Sequence, residues 1–446
     1  MLMNIKIKRK HTLIEGLLHP LHNLLQYQST SAIIIFICVV IAMLWANSPW
    51  SDSYHALWDT SLGITVGSFT ISESLHTWIN DGLMAVFFFS VGLEIKRELL
   101  GGELSTFKKA ILPFSAALGG MLFPAIIYLA FNYGTPAENG WGIPMATDIA
   151  FSLGILALLG KRIPLSVKIF LTALAIVDDL GAVVVIAFFY TSDIYMLDLI
   201  WGLIFLAVLM LANWVGVRNQ IFYMLVSIVG LWLAFFFSGV HPTIAGVLAA
   251  FTIPGRVKIN EQLFLMNMET LTQLFKKADP NKNIFVTEDQ MEILETIKEV
   301  TSDAETPLQK VEYALSGFVS FIVLPLFALA NAGLVIHGDG LAIFLHPVSL
   351  GIGWGLLAGK FLGIIGVSRL LVYLGFAELP EKATWNHIYG VALLAGVGFT
   401  MSLFITELAF TDPDTIYMSK MSVLITSVFT GVLGYVFLRF KFKLPK

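Results

Sequence analysis

The sequence predicts an all-α polytopic membrane protein with about twelve transmembrane helices. Of its 446 residues, 57% are hydrophobic and 13% are charged, whereas soluble domains average about 25% charged residues. Apolar runs of about 20 residues, the length that crosses a bilayer, recur along the chain. We predict one span in each run, centred near residues 39, 86, 120, 149, 178, 205, 229, 247, 322, 359, 397 and 429.

Basic residues alternate between successive connections, which supports twelve spans and predicts their orientation. Every second connection is rich in lysine and arginine: Lys6, Lys8, Arg9, Lys10, Lys96, Arg97, Lys108, Lys109, Lys161, Arg162, Lys168, Arg218, seven residues from Arg256 to Lys310, Arg439, Lys441, Lys443 and Lys446. The intervening connections hold Asp52, Asp59, Glu138, Asp193, Asp339, Asp412 and Asp414, with Lys420 as their one basic residue. We therefore expect both termini in the cytoplasm.

Two of the connections between spans are predicted to form structure of their own. Residues 61–72, SLGITVGSFTIS, alternate polar and apolar residues around Gly67-Ser68, which predicts a small external β-hairpin; an irregular loop is the alternative. Residues 255–310 form a polar cytoplasmic insert within a single transmembrane domain of residues 1–446. The stretch EDQMEILETIKEV in this insert predicts an amphipathic helix, either a regulatory element or a solvated connector.

Two adjacent carboxylates lie in the middle of the run LTALAIVDDLGAVVVIAFFY. They are Asp178 and Asp179. Placing one charged side chain at the bilayer centre costs roughly 2.5–3.5 kcal/mol on insertion scales. Neighbouring residues on a helix diverge by about 100°, so one side chain can face a cavity while the other faces a helix. Intramembrane acids are functional by default, and a structural ion pair is the alternative.

Helix-breaking residues interrupt two of the predicted spans. Asp148 follows Thr147 in GWGIPMATDIAFSLG, and YGVALLAGVGFTMSLFI carries Gly396, Gly398 and Thr400. Such breaks at membrane depth are tolerated where the backbone is buried in protein or lines a cavity. Paired breaks in the two halves predict two discontinuous helices at a transport site; close helix packing around glycine is the alternative.

Five other charged or titratable residues lie in or near the predicted spans. Lys360 is central in WGLLAGKFLGIIGV, where a buried cation needs acids or helix C-termini nearby, although a long lysine can also snorkel. Asp81 and Glu94 lie near opposite ends of the second run, and His241 opens the eighth. Glu407 lies in the outer half of the eleventh run, and the sequence assigns it no role.

The chain resembles the NhaA-type sodium/proton antiporters of bacteria along nearly its full length. The motifs that carry the resemblance are INDGLMAVFFFSVGLEIKREL, MATDIAFSLGILALLG, IVDDLGAVVVIAFFY, SGVHPTIAGV, LPLFALANAGL and AGVGFTMSLFI. Inverted repeats and broken helices are known features of this family, so the resemblance implies them here. It also implies a homodimer formed through the external hairpin.

The resemblance implies roles for nine residues of this sequence. The cation- and proton-binding pair falls on Asp178 and Asp179, which would hold the transported Na⁺. The supporting transport-site residues fall on Thr147, Asp148 and Lys360. The funnel and pH-response residues fall on Asp81, Glu94, His241 and Glu312. Two histidines expected near Glu312 are replaced by Tyr313 and Ser316, which weakens the implied pH response.

The expected function is electrogenic exchange of cytoplasmic Na⁺ or Li⁺ for external H⁺ across the bacterial inner membrane, for pH and sodium homeostasis. The chain carries no nucleotide-binding motif, so gradients would drive transport without a cofactor, and no nucleic acid partner is expected. An intramembrane aspartyl protease would need carboxylates on two helices and a GxGD motif, and a cation channel would need fourfold repetition. The alternative that stays open is a sodium-coupled symporter of a small solute.

Overall fold

The computed structural model describes residues 28–67, 69–191, 194–279, 285–336 and 340–442. Within them, ten helices are long and apolar enough to cross a membrane, and the bent pair Trp385–Ala395 and Phe399–Ala409 makes an eleventh span. The predicted fold class, an all-α polytopic membrane protein, is confirmed. Continuous helices form the spans predicted near residues 39, 86, 120, 178, 205, 229, 322, 359 and 429. The span near 149 is a 3₁₀ segment, Glu138–Met145, followed by the α-helix Ile149–Leu158, and the bent pair forms the one near 397.

The predicted eighth span is shorter than the other eleven. It is the helix Pro242–Thr252, with 11 residues, or about 16 Å at 1.5 Å per residue, against a hydrocarbon core of about 30 Å. Prolines explain both ends, since Pro242 occupies the first helical turn and Pro254 keeps the preceding residue out of the helical region.

The elements are numbered in chain order. The first six are α1 Gln28–Ala46, α2 Ser51–Asp59, β1 Ser61–Val66, β2 Phe69–Ser74, α3 Leu75–Gly101 and α4 Phe107–Asn132. A 3₁₀ segment, Glu138–Met145, then precedes α5 Ile149–Leu158, α6 Leu165–Phe189, α7 Met196–Val215, α8 Gln220–Ser238 and α9 Pro242–Thr252. The last eight are α10 Glu261–Lys277, α11 Glu288–Ala304, α12 Pro307–Asn331, α13 Gly340–Leu345, α14 Pro347–Tyr373, α15 Trp385–Ala395, α16 Phe399–Ala409 and α17 Pro413–Lys441.

The predicted hairpin is present. Strands β1 and β2 pair antiparallel from Ser61↔Ser74 to Val66↔Phe69, so the connection has two residues. Gly67 has φ +64°, the left-handed conformation that two-residue hairpin turns require and that glycine adopts without strain. Its partner in the turn, Ser68, lies outside the described residues.

The polar insert contains two packed helices. α11 is the predicted amphipathic helix, whereas α10 was not predicted. Lys258 Nζ lies 2.8 Å from Asp303 Oδ2, and the Asp303 carbonyl accepts hydrogen bonds from the amides of Lys258 and Ile259. These contacts join the first residues of the insert to the end of α11.

The chain forms two compact units. The first contains α1, α2, the hairpin, α4, α5, most of α6, the end of α12 and α13–α17. Its helices α4 and α14 approach closely because small residues face each other, as at Gly119 and Gly363. A Cβ on Gly359 would lie 2.7 Å from Cα of Pro124, so the residue next to Gly359 is held against α4. That residue is Lys360.

The second unit contains most of α3, the end of α6, α7–α11 and the start of α12. Its α3 and α9 pack tightly at two glycines. A Cβ on Gly92 would lie 2.8 Å from Cβ of Ala250, and one on Gly246 would collide with the carbonyl of Ala85. This contact fixes α9 along α3, which carries Asp81 and Glu94.

Part of the orientation argument rests on residues outside the described ranges. These are Lys6, Lys8, Arg9, Lys10, Asp193, Lys282, Asp339, Lys443 and Lys446. The cytoplasmic location of both termini therefore stays a prediction.

Candidate ion-binding site

The acid pair lies in the middle of a buried helix. Asp178 and Asp179 are each 1% exposed, at the fourteenth and fifteenth of the 25 residues of α6. Successive side chains diverge by about 100° on a helix, so the two carboxylates face different neighbours. Both lie in the first compact unit.

Lys360 is the counter-charge of Asp178. Its Nζ lies 2.5 Å from Asp178 Oδ2, and neither side chain is accessible to solvent. Lys360 also interacts electrostatically with Asp179. It follows directly after a π-helical turn at Gly355–Gly359, a distortion that often marks functional sites in helices. The ammonium group is therefore buried and paired, and it does not snorkel.

Thr147 lies between the acid pair and the second broken helix and interacts with both. Its hydroxyl donates to the carbonyl of Ala395 at 2.9 Å, and Thr147 also interacts with the carboxylate of Asp178. The next amide, that of Asp148, donates to the carbonyl of Val397 at 2.7 Å. The extended stretch between Met145 and Ile149 thus runs against the break between α15 and α16.

Asp148 caps two helices at once. Its Oδ1 accepts from the amide of Phe151 in α5 at 3.0 Å. Its Oδ2 accepts from the amide of Thr400 at 3.1 Å and from the Thr400 hydroxyl at 2.6 Å, in the first turn of α16. Helix N-termini carry partial positive charge and free N–H groups. One buried carboxylate therefore stabilises the starts of both half-helices.

Hydroxyl groups donate to backbone carbonyls next to the two breaks. Ser402 of α16 donates to the carbonyl of Ile143 at 2.7 Å, and Ser152 of α5 donates to the carbonyl of Leu394 at 2.8 Å. Each broken segment thus supplies hydroxyls to the other. This arrangement removes the cost of an unpaired backbone group at membrane depth.

Asp81 and His241 pair in the second unit. His241 Nε2 lies 3.4 Å from Asp81 Oδ1, and His241 Nδ1 accepts from the amide of Thr243. A ring nitrogen that accepts a hydrogen bond carries no proton, so the proton of the neutral imidazole is on Nε2, facing Asp81. The indole of Trp232 donates to the carbonyl of Asp81 at 3.1 Å.

Glu94 and Glu312 meet at an arginine. Arg97 Nη1 contacts Glu312 Oε1, its Nη2 lies 3.0 Å from Glu98 Oε1, and the same nitrogen lies 3.8 Å from Glu94 Oε1. One guanidinium therefore serves three carboxylates. Near Glu312, the Tyr313 side chain is 83% exposed, and Ser316 donates to the Tyr313 carbonyl at 3.0 Å.

Comparison with known proteins gives the family. The family model described as "Na+/H+ antiporter 1" matches residues 22–438. The chain belongs to this family. It is 47% identical to Na(+)/H(+) antiporter NhaA of Oleidesulfovibrio alaskensis over 427 residues, which cover 96% of this chain and 95% of the relative.

Two other relatives agree with this result. Na(+)/H(+) antiporter NhaA of Sulfurimonas denitrificans is 46% identical over 96% of each chain. Na(+)/H(+) antiporter NhaA 1 of Psychromonas ingrahamii is 48% identical over 92% of this chain and 94% of its own. Members of the Na⁺/H⁺ antiporter 1 family are transporters, so the protein is not an enzyme and the aspartyl protease alternative is wrong.

In this family member, the structure brings together five of the predicted site residues in the first unit: Thr147, Asp148, Asp178, Asp179 and Lys360. In the second unit it pairs Asp81 with His241 and joins Glu94 to Glu312 through Arg97. Sequence reasoning missed the roles of Thr400, Arg97 and Glu98. A threonine directly after a glycine-rich break was the available signal for Thr400.

Replacing Thr400 by valine should destabilise the protein, because the change removes a hydroxyl that donates to a buried carboxylate. Hydrogen bonds to charged groups contribute about 1.5–3 kcal/mol, so a clear fall in melting temperature in detergent is expected. Thr172→Val is the matched control, since the Thr172 hydroxyl bonds only the Lys168 carbonyl of its own helix. Equal melting temperatures for the two variants would contradict this role of Thr400.

Proposed function

We propose that the protein exchanges cytoplasmic Na⁺ or Li⁺ for external H⁺ across the bacterial inner membrane and is electrogenic, serving pH and sodium homeostasis. The observation that carries the proposal is the fully buried pair Asp178–Asp179 in the middle of a membrane helix, beside Thr147 at the break of a discontinuous helix. Family membership supports Na⁺/H⁺ exchange, and no feature of the described residues favours the symporter alternative.

The donors around the acid pair suit a hard cation. Carboxylate, hydroxyl and carbonyl oxygens are the ligands that hard cations prefer. Asp179, Asp178 and the Thr147 hydroxyl would replace part of the hydration shell of Na⁺. The same carboxylates bind protons, so Na⁺ and H⁺ compete for one site. If the site opens to each side in turn, this competition alone couples the two fluxes.

Lys360 gives the empty site a defined charge. With its ammonium group 2.5 Å from Asp178 Oδ2, the carboxylate is compensated when no Na⁺ is bound. An incoming Na⁺ takes over this compensation, because two cations cannot share one buried carboxylate without strong repulsion. The Asp178 carboxylate is thus always compensated by a positive charge, either the ammonium group of Lys360 or the bound Na⁺.

Asp148 has a fixed electrostatic role in this scheme. It accepts three hydrogen bonds from the first turns of α5 and α16. Its carboxylate therefore keeps the same partners while ions bind and leave. It thereby neutralises two positive helix ends next to Thr147, which would otherwise repel a cation.

The second unit holds the groups that we propose for ion access and pH response. Asp81 pairs with the neutral imidazole of His241, and Glu94 and Glu312 each pair with the guanidinium of Arg97. Such pairs change charge over the range in which carboxylates and histidines titrate. The insert of residues 255–310 follows α9 directly and ends in α12, which carries Glu312, so we propose a regulatory role for it.

Everted membrane vesicles from a host that lacks its own Na⁺/H⁺ exchange test the function. Respiration acidifies the lumen and quenches an acridine dye, and added NaCl or LiCl should restore the fluorescence. Choline chloride is the negative control, and KCl with a pH series defines the ion preference and the active range. Proteoliposomes with a potential-sensitive dye test electrogenicity. No recovery with NaCl at any pH would refute the proposal.

The predicted orientation is tested by two single cysteines in a Cys38→Ser background. Thr65→Cys, in β1, should react with an impermeant thiol reagent in intact cells, because we place the hairpin outside the cell. Glu269→Cys, in the exposed α10, should react only after the cells are opened. Labelling of Glu269→Cys alone in intact cells would invert the topology.

We also propose that the hairpin forms a homodimer contact. Its two-stranded sheet exposes Leu62 and Ile64 at 49% and 52%, and exposed strands can extend a sheet into a second copy. Ile64→Lys should shift the purified protein from dimer to monomer in native mass spectrometry. Met266→Lys, at an equally exposed apolar position in α10, should leave the dimer intact. A dimer that persists in Ile64→Lys would argue against this interface.

A further inference from the structure

An ion pair outside the proposed ion site lies within the membrane-spanning helices. Glu407 of α16 contacts Lys420 of α17 through Oε1 and Nζ, with side-chain exposures of 21% and 8%. Charges within membrane spans are costly and are retained where they have a function. Neither residue contacts the Asp178–Asp179 pair, so the ion site does not account for them.

The charged and titratable groups around this pair come from several elements. His76, at the start of α3, interacts electrostatically with Glu407, Lys420 and Asp59. His76 Nε2 lies 3.2 Å from Oδ1 of Asn331, the last residue of α12. The pair therefore joins α16 to α17 at a point where the base of the hairpin and the end of α12 also meet.

The position of Glu407 along α16 connects the pair to the ion site. Thr400, in the first turn of α16, is bound by Asp148 through its amide and hydroxyl. Glu407 lies seven residues later, about 10 Å along the axis, in the last turn. A carboxylate in the last turn opposes the helix dipole, whereas a cation there is favourable. Lys420 therefore stabilises both Glu407 and the C-terminal end of α16.

We propose that Glu407 and Lys420 are a positioning pair for exchange. They hold one end of α16, so that the other end presents Thr400 to Asp148 and keeps the break beside Thr147 in place. Neither side chain touches the transported ion. The inference rests on the proposed function, because its consequence is measured as a change in Na⁺ exchange.

The first test compares charge removal from one or both partners in proteoliposomes. Lys420→Met and Glu407→Gln should each raise the apparent KM for Na⁺ several-fold, since each leaves one charge without its partner in a poorly hydrated position. The apparent KM of the double variant should fall between the wild-type value and those of the single variants, because no charge is left unpaired but α16 still lacks its link to α17. Lys420→Arg, which keeps the charge, should retain a near-normal KM.

A matched control is available in the insert. Lys258 pairs with Asp303 at 2.8 Å, but its side chain is 61% exposed, and exposed pairs contribute little. Lys258→Met should leave KM, turnover and melting temperature unchanged. This control separates the loss of a lysine from the loss of this particular pair.

The second test asks whether the pair acts through α16. Thr400→Val loosens the other end of the same helix, so its effect on KM should combine less than additively with that of Lys420→Met. If Lys420→Met lowers the melting temperature while KM and the pH profile stay at wild-type values, or if the two changes are fully additive, the pair is only structural and the inference is wrong. Loss of Na⁺-driven exchange in the wild type would instead refute the proposed function.

Discussion

Replacing Asp179 by asparagine should abolish Na⁺-driven proton movement in proteoliposomes. An amide cannot release or bind a proton in the working pH range, and it binds a cation more weakly than a carboxylate does. Because Na⁺ and H⁺ are proposed to compete for the same oxygens, the variant loses both halves of the exchange. This is the largest effect that we expect from any single substitution.

The measurement is initial exchange rate against Na⁺ concentration, with purified protein at matched protein-to-lipid ratio. Asp178→Asn should impair exchange severely. Asp198→Asn is the matched control, because Asp198 is an aspartate in the first turn of another membrane helix, α7, and it should exchange at the wild-type rate. Melting temperature in detergent confirms that each variant is folded. Wild-type turnover by Asp179→Asn would refute the assignment of the ion site.

Replacing Lys360 by methionine should have the second largest effect. Methionine keeps an unbranched apolar stem but leaves Asp178 without the ammonium group that lies 2.5 Å from it. Removal of one partner from a buried pair costs about 3–5 kcal/mol, so the melting temperature should fall strongly. Because a nearby cation favours the ionised form of an acid, exchange by the variant should need higher pH and more Na⁺.

Lys360→Arg separates charge from shape. Arginine keeps the positive charge, but its planar fork suits the narrow position beside Gly359 and Gly120 poorly, so partial activity is expected. The pH dependence of exchange and the melting temperature are compared for both variants and wild type. If methionine and arginine behave alike and match wild type, Lys360 has no electrostatic role in exchange.

Features set by local sequence were predictable. Length and hydropathy gave the eleven full-length spans, and Gly67-Ser68 gave the hairpin turn. The breaks around Thr147 and Gly398 were visible because glycine, proline and polar residues rarely occur together inside an apolar run. The shortness of α9 follows from Pro242 and Pro254, and that signal was present in the sequence.

Features set by contacts between distant segments were not predictable in the same way. The bond from Thr400 to Asp148 joins residues 252 positions apart, and periodicity carries no information about such partners. Lys360 had several candidate acids, and only the packing of α14 against α4 and the direction of α6 select Asp178. The arginine shared by Glu94, Glu98 and Glu312 depends in the same way on how α12 lies against α3.

The helix α10 was not predicted for a different reason. Its stretch EQLFLMNMETLTQLFKK begins after Asn260, whose side chain accepts from the amide of Leu263, and this is a common helix start. The segment lies in a polar connection between spans, and these polar surroundings favoured a connector. The partner that orders it is α11, so the two helices are best predicted together as a hairpin.

The central claim is that Na⁺ and H⁺ compete at the Asp178–Asp179 pair, and Na⁺ binding to the purified protein tests it most directly. Calorimetry across a pH series, in buffers of different ionisation enthalpy, measures both the apparent affinity and the protons released on binding. We predict that Na⁺ binding releases protons, that the apparent affinity rises with pH, and that Asp179→Asn removes both effects. A wild-type Na⁺ affinity that is independent of pH, with no proton release, would contradict the account.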